Sequence, residues 1–129
     1  MKKLLVLLCA VLAFSGTVNA QGFGCENTST VSVTAAATTE IVPISASSRI
    51  LVCGFSVAIT ATGTAKWVYG TGTNCGTGTT DITAAITLAT GVPWTAFLST
   101  GHVFRAPPGT ALCLAATTGN VLGFVSWNR

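Results

Sequence analysis

Ile50-Leu51-Val52-Cys53-Gly54-Phe55-Ser56-Val57 is the stretch that decides the fold. The two-residue period of a strand puts Ile50, Val52, Gly54 and Ser56 on one face and Leu51, Cys53, Phe55 and Val57 on the other. Apolar residues on both faces predict a central strand covered on both sides. Shorter alternating runs lie to either side. Val31, Val33 and Ala35 share a face, Ile41 and Pro43 mark a second strand, and Ala65, Trp67 and Tyr69 alternate with Lys66, Val68 and Gly70. Late in the chain, Val103 to Ala106, Ala111 to Ala116 and Val121 to Trp127 are separated by Pro107-Pro108-Gly109 and Thr118-Gly119-Asn120. Turn residues at this spacing between β-branched runs predict a sandwich or barrel.

Two stretches break the rhythm. Gly70 to Asp81 (GTGTNCGTGTTD) reads as a Gly/Thr loop pinned by Cys75, and residues 82–100 read as one or two strands with an irregular connection. Ala84-Ala85-Ile86 is a rival start for a helical turn there.

The amino terminus is of another kind. Lys2 and Lys3 precede an apolar run from Leu4 to Phe14, and Val18 and Ala20 stand at −3 and −1 of a cut before Gln21. This is the three-part pattern of a secretory signal, too short for a stable bilayer span. Taking residues 1–20 as leader leaves 109 of the 129 residues as a single domain, 21–129. The cut also removes Cys9, whose preceding Leu8 does not fit a lipidation site, together with both leader lysines.

What remains is nearly neutral. Arg49, Lys66, Arg105 and Arg129 stand against Glu26, Glu40 and Asp81, a formal charge of +1. That excludes the clustered basic footprint of nucleic-acid binding. Weak charge repulsion permits close subunit contact, so a homo-oligomer is expected.

Four cysteines stay behind: Cys25, Cys53, Cys75 and Cys113. Their spacings of 28, 22 and 38 residues contain no C-x-x-C pair, which disfavours zinc and predicts two disulfides in an exported domain. Position favours Cys25–Cys53 with Cys75–Cys113, tying each half separately; Cys53–Cys75 with Cys25–Cys113 stays open.

Catalytic equipment is sparse. His102 is the single histidine, and a Ser–His–Asp set with Asp81 lacks a G-x-S-x-G elbow. Glu26 and Glu40 read as surface residues rather than a glycosidase pair. The Gly-rich loop lacks the Gly-Lys-Ser/Thr of a phosphate cradle. No metal and no cofactor is expected, and a hydrolase centred on His102 ranks last. Binding has more material. Trp94, and Thr73 with Asn74 in the Gly70–Asp81 loop, are the candidate contacts for sugar or protein. Trp67 and Trp127 read as core or subunit-interface residues. Asn27-Thr28-Ser29 is a glycosylation sequon, with no glycan expected behind a leader of bacterial character.

Three segments carry a resemblance: Ile50 to Phe55, Val68-Tyr69-Gly70-Thr71-Gly72-Thr73-Asn74-Cys75, and Pro108 to Leu114, followed by the closing Gly123-Phe124-Val125-Ser126-Trp127. Over residues 25–129 the chain resembles a loosely defined group of small β-sandwich proteins from phage and bacterial environmental genomes, marked by a "YGTG…C" loop. The resemblance implies a jelly-roll-like sandwich of about eight short antiparallel strands, serving as a virion-associated or surface structural component. The leader directs that expectation toward the periplasm or cell exterior. The expected function is an exported, non-enzymatic structural or adhesive protein at a cell surface or virus particle. A small secreted carbohydrate-binding module is the alternative.

Overall fold

β-Branched and aromatic residues at alternate positions form ten strands among the described residues, between turns rich in glycine and threonine. The computed structural model describes residues 25–129, so the leader and Cys9 lie outside the described residues. The strands are β1 (Asn27–Val33), β2 (Thr38–Val42), β3 (Ile50–Ile59), β4 (Gly63–Thr71), β5 (Thr77–Asp81), β6 (Ile86–Leu88), β7 (Trp94–Phe97), β8 (Phe104–Ala106), β9 (Ala111–Ala116) and β10 (Val121–Asn128). All strand pairings are antiparallel and fall into two sheets.

In the first sheet the order is β1-β10-β3, and β7 and β8 then follow one another along the far edge of β3. β7 pairs with Gly54–Val57 and β8 with Ile50–Val52, so together they make one interrupted column. The second sheet repeats the plan. Its order is β2-β9-β4, with β5 and β6 sharing the far edge of β4. Counted as columns, the ten strands give four and four. The first column lies beside the last, and the second beside the next to last, which is the strand order of a jelly roll. The eight expected strands become ten because two of them are broken.

The break in the second sheet is repaired by a side chain. Between β5 and β6 the chain leaves the ladder opposite Trp67. There the Thr83 hydroxyl accepts the Trp67 N–H at 3.0 Å, and the Ile82 N–H donates to the Trp67 carbonyl at 2.9 Å. The backbone groups of this buried residue are thus paired although the strand beside it has stopped.

Between the sheets lies the apolar core. Val31, Val33, Phe55, Val57, Ile59, Val121 and Val125 face Val42, Ala65, Trp67, Leu112 and Leu114, all essentially inaccessible. Each of the Val, Leu, Ile and Phe side chains among them contributes about 1.5–3 kcal/mol when removed from water. Phe55 anchors an aromatic cluster, with Trp67 edge-on at 5.3 Å, Trp94 edge-on at 5.0 Å and Phe104 at 5.9 Å. No charged or polar residue is buried among the described residues.

β3 holds an internal position, as its sequence predicts, but it is not apolar on two faces. Opposite β10, Ser126 pairs with Gly54 and Trp127 with Val52, leaving Cys53 as an extra residue in a bulge. A bulge shifts the side-chain alternation by one. Ile50 and Val52 before it, and Phe55, Val57 and Ile59 after it, therefore all point into the same core. The two apolar sets of the opening stretch are one set, put in phase by the bulge.

The cysteines pair as Cys25–Cys53 and Cys75–Cys113, with Cα atoms 5.9 and 6.3 Å apart. Among the described residues no helix is long and apolar enough to cross a membrane.

Candidate functional site

The Gly70–Asp81 segment is half strand: Thr77–Asp81 returns as β5 against β4. Its first half makes a 3-10 turn at Thr73–Cys75 that lies on the outside of the second sheet. There Cys75, bonded to Cys113, buries Val68 and Ala111 in a small apolar cluster separate from the main core. Gly70 permits this close approach, because a Cβ there would stand 3.0 Å from the carbonyl oxygens of Cys75 and Thr77.

The two loop residues singled out by sequence serve this cover. Asn74, in the left-handed region at φ 52°, uses its side-chain oxygen to accept the Glu40 N–H at 3.1 Å, tying the turn to edge strand β2. The Thr73 carbonyl accepts the Gly76 N–H at 3.0 Å. The Thr79 hydroxyl donates to the Cys75 carbonyl.

Trp94 sits elsewhere, on β7 in the first sheet. It pairs with buried Val57 and packs partly buried against the main core beside Phe55. The structure does not bring it together with Thr73 or Asn74. Trp67 is wholly inside, its indole nitrogen without a hydrogen-bond partner among the described residues. Trp127 is half-buried and donates to the Ser29 hydroxyl at 2.9 Å.

Nor does the structure gather an acid–base set around His102. That residue is exposed in the segment before β8 in the first sheet. Asp81 closes β5 in the second sheet, where it accepts two hydrogen bonds from Lys66 Nζ at 2.8 and 2.9 Å. Glu26, just before β1, and Glu40, in β2 of the second sheet, are both exposed. Among the described residues no three His, Cys, Asp or Glu side chains come together as a metal site would require.

What sequence reading missed is the outer face of the first sheet. Strand register sets Thr30, Phe124, Ser56 and Thr95 in one row across it, and Thr28, Ser126, Gly54 and Phe97 in the next. Phe97 is 54% exposed, Phe124 41% and Leu122 49%. The Phe97 ring lies over Gly54, whose absent Cβ leaves the floor for it, and comes within 6.0 Å of the Phe124 ring, centre to centre. Ser56 and Thr95 are joined by a 3.0 Å hydrogen bond beside the rings. Neither row contains a charged side chain. The signal in the sequence was β10 itself, where Leu122 and Phe124 alternate with the buried Val121 and Val125.

Comparison of the chain with family models, with curated proteins and with solved structures finds no match.

Proposed function

We propose that the chain is an exported, non-enzymatic structural or adhesive protein of a cell surface or virus particle. It works by contact through the outer face of its first sheet, and a second copy of the chain is the first partner. The carrying observation is the uncharged patch of Phe97, Phe124 and Leu122 ringed by Thr and Ser hydroxyls. A contiguous apolar patch left open on a sheet face is the kind of surface that serves as an interaction site. A patch without charge meets its own copy without like-charge repulsion, and hydroxyls, being both donors and acceptors, can satisfy one another across a two-fold axis. Two disulfides support an oxidising compartment and hence export.

The test is light scattering after size exclusion on the protein recovered from its export route. The expected result is a mass above that of one chain, falling to one chain in the double variant Phe97→Ser, Phe124→Ser. A monomer at millimolar concentration sinks the self-association reading.

A carbohydrate-binding module is the second reading, favoured by the same pair of tilted rings among hydroxyls. Selective retention on an array of neutral glycans, lost on Phe124→Ala, would replace the structural reading with that one.

A further inference from the structure

Four basic side chains are described, and two of them are spoken for. Lys66 is held by Asp81. Arg129 donates to the Pro43 carbonyl at 2.9 Å and lies 5.0 Å over the Trp127 ring. The other two, Arg49 and Arg105, have no carboxylate partner among the described residues, and residues 1–24 contain no Asp or Glu. Yet both line one cavity of about 320 Å³, together with Tyr69, Pro107 and Pro108.

Nothing in the composition forces two cations together. On a chain so poor in charge they have ample room to stand apart, and two exposed cations lining one cavity give it a positive potential that favours an anion. The remaining walls are rigid. Pro107 and Pro108 have fixed backbones, and the turn they enter is locked by the Gly109 N–H donating to the Ser45 carbonyl at 2.8 Å. The Thr110 hydroxyl closes the same turn on the Pro107 carbonyl at 2.7 Å. Arg49 leads directly into β3 and Arg105 lies in β8, paired with Leu51. Tyr69 comes from the end of β4 in the other sheet and packs its ring on the core. The cavity thus bridges the two sheets with framework residues.

We propose that this cavity binds an oxyanion carried on a small ring, the chemistry of a carboxylated or sulfated sugar unit. Guanidinium groups present paired N–H donors matched to a planar carboxylate or to two oxygens of a sulfate. Tyr69 and the two proline rings supply flat apolar walls for the ring that bears the anion, and the volume lies in the range of small-molecule sites. The site is separate from the Phe97–Phe124 face, and its occupancy does not depend on that face making contacts.

Titration calorimetry with the exported protein tests this, using glucuronic acid, glucose 6-sulfate, glucose and inorganic sulfate as probes. Either sugar anion should bind at least about tenfold more tightly than glucose or inorganic sulfate and weaken as salt is raised. Arg105→Gln and Arg49→Gln, both on exposed side chains, should each reduce affinity by about tenfold or more. Their unchanged thermal melts serve as the folding control. Preference for glucuronic acid over glucose 6-sulfate, or the reverse, identifies which oxyanion the site takes. Equal affinity for glucose and both sugar anions, or wild-type binding in both arginine variants, overturns the proposal. Inorganic sulfate binding as tightly as the sugar anions overturns the role given to the ring walls. Absence of heat from every probe at 10 mM overturns it altogether.

Discussion

The two sheets share a strand plan and differ in what they do with their outer faces. Outside the second sheet, Val68, Ala111 and Cys113 are sealed under the Cys75 turn. Outside the first, Phe97, Phe124 and Leu122 stand in the open. The same four-column frame therefore carries one face covered from within the chain and one with its apolar side chains open. A cover fixed by a disulfide, a glycine contact and an Asn side chain shows what closing such a face requires. The first sheet has a disulfide as well, but Cys25–Cys53 joins the chain before β1 to the bulge in β3 and leaves the aromatic rows uncovered.

Breaking the cover gives the largest expected effect. Cys75→Ala with Cys113→Ala should lower unfolding free energy by about 3–4 kcal/mol in chemical denaturation, from the 38-residue separation that the bond closes. Hydrogen exchange should rise across residues 70–81 at the same time. If exchange there stays at the wild-type level, hydrogen bonds alone hold the turn and the disulfide does not distinguish the two faces. On the open face, Gly54→Ala puts a methyl group where the Phe97 ring lies. Displacing the ring should cost about 1–3 kcal/mol and change the near-ultraviolet circular dichroism. An unperturbed spectrum would mean that Phe97 does not rest on that floor. The smallest effect belongs to Lys66→Ala on the closed sheet. Its ion pair with Asp81 is solvent-exposed, so a loss of at most about 1 kcal/mol is expected, shrinking with added salt. A larger, salt-insensitive loss would give that pair a structural share it is not assigned here.

The sheet frame was largely legible in the chain. Ala111 to Ala116 reads as a strand and is β9, and Val121 to Trp127 is β10 less its last residue. Alternation and turn residues are local signals, and these strands obey them. The β3 bulge was not legible, because a run apolar at every position fits a strand covered on both sides as well as a strand that shifts phase midway. What separates the two is the pairing of Ser126 and Trp127, more than 70 residues away in sequence. The candidate sites were less accessible still. Thr73 and Asn74 read as a presented loop and are exposed, but nothing local shows that the Thr73 carbonyl accepts the Gly76 N–H or that the Asn74 side-chain oxygen accepts the Glu40 N–H. The cavity takes Arg49, Tyr69 and Arg105 from three strands or strand entries, a convergence that only the fold produces. Trp94 reads as a contact for sugar or protein, and an aromatic ring suits the core as much as a ligand.

Neither disulfide links one sheet to the other, and this determines how the molecule carries mechanical load. Tension applied at Cys25 and at Arg129 passes through the Cys25–Cys53 bond straight into β3. It bypasses residues 26–52, so the β1 and β2 segments themselves carry none of that tension. The two loaded points then lie side by side, because Trp127 is paired with Val52 and Asn128 with Leu51. Such a pull peels β10 from its neighbours β1 and β3 one rung at a time instead of shearing whole ladders at once. A tether attached at Cys25 and Arg129 would therefore yield at low force.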